Sequence, residues 1–172
     1  SRTNSAILQD IIPNLYDGKK VYIPNGLNIC FKYIKDLLKF KKGKSVLRFK
    51  SYKSYQHLFN SAMKQKDAEF INANKLIETY GNDLHGILHS VDESIVDNME
   101  EADLCYSTIH KAKGQDIEIP MRIIGMDDIM GYHNKEGLDK NEVNALYVAL
   151  TRAKDKIEIP SILIWQTDLF VV

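Results

Sequence analysis

The chain has 172 residues, with 23 Lys and Arg against 23 Asp and Glu, so its formal net charge is zero. That balance excludes a global basic field of the kind that announces a nucleic-acid binder, although a local basic groove is compatible with it, because steering depends on where charge sits. Hydrophobic residues at 44% and charged residues at 27% exclude a disordered chain, which needs low hydrophobicity and high net charge.

A chain of this length buries roughly 70% of its unfolded surface and needs no staple. One domain, or one domain carrying a small insert, is expected. Cys30 and Cys105 form no C-x-x-C and border no metal-ligand cluster. They read as structural cysteines of a reduced, cytosolic protein. No apolar run approaches the ~20 residues of a membrane span, so no membrane partner is expected. Ser1-Arg2-Thr3-Asn4 is not a signal peptide and lacks an initiator Met, so a fragment or a processed product is expected.

In chain order, Asn4 to Ile12 reads as a short helix. Ile7, Leu8, Ile11 and Ile12 recur at helical spacing, Asn4 or Ser5 is available as a cap, and Pro13 is expected to end it. Asp17-Gly18 marks a turn, Lys20 to Ile23 a strand, and Pro24-Asn25-Gly26 closes that strand. From Leu27 to Phe40 the pattern is helical again, with Leu27, Cys30, Phe31, Ile34, Leu37 and Leu38 on one face. Lys41-Lys42-Gly43-Lys44 ends it with positive charge and a glycine. Lys35, Lys39, Lys41, Lys42 and Lys44 read as a solvated basic face, with contact to duplex DNA as the alternative.

Helical segments follow near Ser51–Lys64, Ala68–Tyr80 and Asp83–His89, the last two separated by Gly81-Asn82. Tyr52, Tyr55, Phe59 and Phe70 are expected in the core or between helices, with base stacking as the alternative. Near Glu100 the character changes. Ala102 to Thr108 reads as a buried strand and Met121 to Gly125 as another. Lys140 to Ala153 reads as a helix with Val143, Leu146, Tyr147 and Leu150 on one face, and Ile157 to Trp165 as a terminal strand interrupted by Pro160. Strand, turn, strand, helix, strand points to an α/β layer with a parallel sheet.

Three segments concentrate chemistry. Ser107 to Asp116 packs hydroxyls, an imidazole, ammonium groups, a glycine and a carboxylate just beyond an expected strand, where ligands of α/β sheets gather. Lys113-Gly114 offers a cation beside a backbone that phosphate can approach closely, and Asp116 can accept hydrogen bonds from a ribose. The alternative is a solvated basic turn. In Asn144 to Ala153, Arg152 projects from a helix end, either complementing the dipole or gripping a phosphate with two parallel hydrogen bonds. In Arg2-Thr3-Asn4-Ser5, Arg and Asn suit phosphate and base edges, or simply start a capped helix.

Together these segments resemble the UvrD/Rep class of superfamily 1 DNA helicases. Thr108-Ile109-His110-Lys111-Ala112-Lys113-Gly114-Gln115-Asp116 is similar to that family's motif V, and Leu146-Tyr147-Val148-Ala149-Leu150-Thr151-Arg152-Ala153 to its motif VI. Arg2-Thr3-Asn4 resembles the R-T-N block that precedes them, and the three occur in family order. Asn144 and the short helical insert look most similar to the F-box DNA helicase group.

The resemblance implies an α/β fold: a partial, RecA-like parallel-sheet domain formed by 1–26 and 99–172, with a mostly helical inserted subdomain at 27–98. It implies that Arg2, Asn4, Thr108 and His110 contact single-stranded DNA. Lys113, Gly114 and Asp116 then lie at the nucleotide, and Arg152 is the arginine finger on its γ-phosphate. The implied activity is ATP-dependent helicase or translocase work with 3′→5′ polarity. ATP with Mg²⁺ is the implied cofactor, the Mg²⁺ ligands are expected in a P-loop domain outside this chain, and that domain and single-stranded DNA are the implied partners.

Gln115 and Asp116 depart from the family's Leu and Glu, which implies weaker nucleotide affinity. No G-x-x-x-x-G-K-[ST] occurs, so the isolated chain is expected to hydrolyse no ATP. The alternative is a non-catalytic helicase-derived module that binds single-stranded DNA or protein.

Overall fold

In a computed structural model the described residues are 3–15, 17–112, 120–124 and 140–159. They fall into two units, Thr3–Tyr106 and the residues from Ser107 onward.

The first unit is built around helices α1 (Asn4–Leu15), α2 (Asn28–Lys41), α3 (Tyr55–Gln65), α4 (Ala68–Tyr80) and α5 (Leu84–Ser94). α4 is the hub: α1, α2, α3 and α5 all pack on it. The helical spacing of α1 delivers Ile7, Leu8, Ile11 and Ile12 to the core, where Ile34 and Leu37 of α2, Phe70 and Leu76 of α4, and Leu84, Leu88 and Val91 of α5 are also buried. Tyr55 and Phe59 of α3 meet Phe70 with ring centroids 6.2 and 6.1 Å apart, an interhelix role as expected. Asp67 caps α4 by accepting from Phe70 N at 3.0 Å, and Ser54 caps α3 by accepting from His57 N at 3.2 Å.

Strands β1 (Val21–Tyr22), β2 (Ile95–Val96) and β3 (Leu104–Cys105) form a parallel sheet in the order β2-β1-β3. Val21 pairs with Ile95 on one side and Leu104 on the other, and Tyr22 with Val96 and Cys105. Parallel neighbours need a long crossover, and the helices α2 to α5 supply it between β1 and β2. α1 and β1 thus pack in one unit with the helices of 27–98.

Three expectations are corrected in this unit. α1 does not end at Pro13 but runs through it to Leu15. Proline there sits in the last turn, and Asn14 Nδ2 donates to Asp10 O at 2.7 Å, supplying a side-chain bond where the backbone ladder is weakened. The strand read over 102–108 is only Leu104–Cys105, paired among the described residues with β1 alone, and Cys105 is exposed. α5 extends past His89 to Ser94, since Val91 continues the spacing of Leu84 and Leu88 and Ser94 Oγ donates to Val91 O at 2.7 Å.

The second unit contains α6 (Ile109–Ala112), β4 (Met121–Arg122), α7 (Lys140–Leu150) and β5 (Ile157–Glu158). β4 and β5 are parallel, with Met121 opposite Ile157 and Arg122 opposite Glu158. Ile109, Ile123, Leu146 and Ala149 form its buried cluster, and Val148 and Ile157 pack against it. The described part of the strand read over 157–165 is β5; positions 160–165 lie outside the described residues. The architecture is therefore mixed α/β, mostly helical, with short parallel strands. Among the described residues no helix is long and apolar enough to cross a membrane.

Candidate functional site

In the second unit Thr108 is buried and immediately precedes α6, its carbonyl accepting from Lys111 N and Ala112 N, each at 3.0 Å. Ser107 Oγ donates to the same carbonyl at 3.1 Å. One helical turn then sorts the segment by face. Ile109 turns into the apolar cluster and Ala112 is buried, while His110 and Lys111 are exposed. Those three positions, Thr108, Ile109 and Ala112, anchor the segment; His110 is presented to solvent.

α7 contributes the facing surface, with Leu146 and Ala149 buried against Ile109 in one cluster. Two expectations are corrected here. Tyr147 is 65% exposed rather than on the apolar face, because the buried stripe runs through Leu146 and Ala149, with Ala145 and Val148 half-buried beside it. The helix ends at Leu150 and not at Ala153. Past Leu150, Thr151 N–H still reaches Tyr147 O at 3.0 Å but Arg152 N–H closes a tighter turn on Ala149 O at 3.2 Å, and the Thr151 hydroxyl lies 3.0 Å from Tyr147 O and 3.1 Å from Val148 O.

Arg152 stands in the turn after α7, with its N–H on Ala149 O at 3.2 Å. Its Nη2 donates to Thr151 Oγ1 at 3.3 Å, so the threonine just past the helix also holds the guanidinium. Among the described residues Arg152 Nε is buried without a hydrogen-bond partner. An unpartnered charged donor is costly to bury, and a phosphate oxygen matches its geometry and charge. That donor suits an anionic oxygen such as a phosphate's. Among the described residues no group of three or more His, Cys, Asp or Glu could hold a metal ion.

In the first unit Asn4 is the first residue of α1 and half-buried. Its N–H donates to Glu69 Oε2 at 3.2 Å. Ser5 N and Ser5 Oγ donate to Glu69 Oε1 at 3.1 and 2.5 Å. Thr3 Oγ1 accepts from Ala6 N and from Asn72 Nδ2, both at 3.1 Å. Gln9 Nε2 closes the same interface on Asn72 O at 3.0 Å. The Thr3-Asn4-Ser5 segment is therefore the capped start of a packed helix, with Asn4 Oδ1 buried and unpartnered among the described residues. Sequence reasoning missed Glu69; no local pattern flags a carboxylate that caps a helix 64 positions away.

Ser5 and Glu69 also surround Cys30. Its thiol lies 3.5 Å from Ser5 Oγ and 3.7 Å from Glu69 Oε1. Burial pushes that thiol up to about 12, with the Ser5 hydrogen bond opposing and the Glu69 carboxylate adding to the rise. Cys30 is thus a structural thiol, as expected, whereas Cys105 is exposed and is no part of the core.

Of the residues singled out from sequence, Thr108, His110 and Arg152 belong to the second unit and Asn4 to the first. Arg2, Lys113, Gly114 and Asp116 lie outside the described residues. Comparison with protein-family models, curated proteins and solved structures gives no match to this chain.

Proposed function

We propose that this chain is the C-terminal part of an ATP-dependent DNA helicase or translocase of the UvrD/Rep type, supplying an arginine finger and part of the single-stranded DNA track. What supports this reading above all is that the two segments with the most specific resemblance pack together. Ile109 of the T-x-H-x-A-K-G segment shares one apolar cluster with Leu146 and Ala149 of the L-Y-V-A-L-T-R-A segment.

In this reading the second unit belongs to a RecA-like domain. Arg152, held by Thr151, neutralises charge on the transferring γ-phosphoryl group, a role worth roughly 10³–10⁵ in kcat. Lys113, Gly114 and Asp116 bind the nucleotide phosphates and ribose, while Thr108, His110, Arg2 and Asn4 grip single-stranded DNA. DNA contacts at the start of the segment 108–116 then lie a few residues from nucleotide contacts at its end. ATP-driven domain closure shifts the grip on DNA through that short link. The Mg²⁺ ligands and the P-loop come from a further domain of the same protein, and such a protein works in the nucleoid or nucleus.

The test is DNA-stimulated ATP hydrolysis by the protein that carries this chain joined to its P-loop domain. Arg152→Ala is expected to lower kcat by about 10³-fold or more while leaving nucleotide affinity within a few-fold. Hydrolysis within a few-fold of the parent would refute the finger. Absence of hydrolysis in the parent, with DNA binding retained, would favour a non-catalytic module.

A further inference from the structure

A groove of about 320 Å³ opens in the first unit between α2 and α5. It exists because both helices pack on α4, which leaves the space between them unfilled. Its floor is apolar: Ile34 and Leu38 from α2, Leu84 and Leu88 from α5. Its rim is basic. Lys35, Lys39, Lys42 and Lys44 line it together with His85, all five are exposed, and none of the lining residues is acidic.

The charge on this rim is uncompensated. No ion pair among the described residues engages Lys35, Lys39, Lys42 or Lys44. Of the carboxylates nearby in sequence, Glu78 pairs with Lys41 at 2.5 Å and Asp36 with Arg48 at 3.9 Å, and Asp83, just before Leu84, makes no ion pair with the rim lysines among the described residues. Lys42 is tied by its Nζ to Asn82 Oδ1 at 2.9 Å, which fixes one end of the groove.

We propose that this groove docks an acidic amphipathic helix of a partner protein. An apolar floor flanked by cations is complementary to a helix whose apolar stripe is bordered by Asp and Glu. On each helix the apolar floor is a pair four residues apart, Ile34 and Leu38 on α2 and Leu84 and Leu88 on α5, a span of about 6 Å or one helical turn. That length receives anchors at i and i+4. The volume is at the lower end of the roughly 300–1,000 Å³ of ligand pockets, enough for a pair of aliphatic side chains. A nucleic acid satisfies the lysines but leaves the floor uncovered. Single strands also require aromatic stacking platforms, and His85 is the only aromatic ring in the lining. The proposal concerns the unit Thr3–Tyr106 by itself and stands or falls independently of the helicase reading.

The probe is a fluorescent peptide of about 15 residues carrying Leu at i, i+4 and i+7 with Glu on both flanks. Its binding to the whole chain is followed by anisotropy, and backbone amide shifts locate the contact. Saturable binding is expected, with shifts at Lys39 and Leu88. Lys35→Glu/Lys39→Glu, two surface changes that leave the fold intact, should weaken it about tenfold or more. A peptide with Lys replacing Glu should not bind, nor should one with Ser replacing Leu. Absence of saturable binding, equal binding by the lysine peptide, or indifference to the double charge reversal would overturn the proposal. So would a duplex DNA probe that binds more tightly than the peptide and displaces it, which would make the groove a nucleic-acid face.

Discussion

Replacing Glu69 with Ala is expected to destabilise the unit Thr3–Tyr106 by about 2–4 kcal/mol, a sum of lost capping and a stranded buried hydroxyl. Glu69 sits in the first turn of α4 yet caps the N-terminus of α1, through Asn4 N at 3.2 Å, Ser5 N at 3.1 Å and Ser5 Oγ at 2.5 Å. A helix start leaves its first N–H groups without intrahelical partners, and loss of a side-chain cap costs about 0.5–2 kcal/mol. Ser5 is 0% exposed; without the carboxylate its hydroxyl keeps only the Cys30 sulfur at 3.5 Å. A buried donor so stranded costs about 1–3 kcal/mol. The better helix propensity of Ala returns only a few tenths of a kcal/mol. Urea unfolding followed by far-UV circular dichroism reads the difference. Glu69→Gln, which keeps the length and one acceptor oxygen but not the charge, should lose about half as much. A double-mutant cycle with Ser5→Ala should give a coupling of about 1 kcal/mol or more. An E69A variant within about 0.5 kcal/mol of the parent, the range of an inert surface change, would refute this capping argument.

Gly86 lies inside α5, where an added Cβ meets nothing within 4 Å. Gly86→Ala should therefore raise stability by about 0.5–1 kcal/mol, read as a higher urea midpoint at unchanged slope. Lys66 closes α3 with φ at 54°, left-handed backbone that disfavours a side chain. Lys66→Gly should gain about 0.5–1 kcal/mol even after the added freedom of the unfolded chain. A thiol reagent at neutral pH should react with Cys105 in the folded chain and with Cys30 only on unfolding, since Cys30 is 3% exposed. Burial holds the Cys30 thiol at about 12 against an ordinary 9.0, so the native state keeps a proton that the unfolded state releases. The resulting stability is fully present below about pH 9 and is lost as pH rises towards 12, with a slope of up to about 1.4 kcal/mol per pH unit. Tyr55, likewise pushed up to about 12 by burial first and Glu78 second, adds to the alkaline loss in the same direction.

Local chemistry was legible where one short pattern decides an element. Asp67 before Ala68 and Gly81 after Tyr80 bracket α4 at the bounds read from sequence. The spacing of Ile7, Leu8, Ile11 and Ile12 gave the buried face of α1. Pattern failed where a neighbour decides. Pro13 is tolerated because it falls in a last turn that Asn14 supports. Cys105 is exposed on a strand that, among the described residues, pairs on one side only, which composition does not reveal. Tyr147 sits at helical spacing from Val143 and Leu150, yet the stripe that meets Ile109 runs through Leu146 and Ala149. At the candidate site the sequence supplied the motif residues, while the Thr151 brace on Arg152 and the Glu69 clamp on Ser5 arise only from the fold.

That clamp separates two residues that resemblance treats alike. Asn4 and His110 are both implied DNA contacts, but they have different structural duties. Asn4 opens a helix whose neighbours are consumed by packing: Thr3 and Ser5 are buried, and the Asn4 N–H is held by Glu69. A loss of DNA binding on Asn4→Ala therefore confounds contact with fold. His110 lies on the exposed side of α6, while Ile109 packs in the apolar cluster and Ala112 is buried. His110→Ala should leave the unfolding midpoint within about 0.5 kcal/mol of the parent and weaken single-stranded DNA binding by about 1 kcal/mol, some fivefold. Anisotropy at two salt concentrations reads the affinity, which should fall with salt as phosphate contacts demand. Unchanged affinity with unchanged stability would remove His110 from the DNA track, and no appeal to a damaged fold could rescue the assignment.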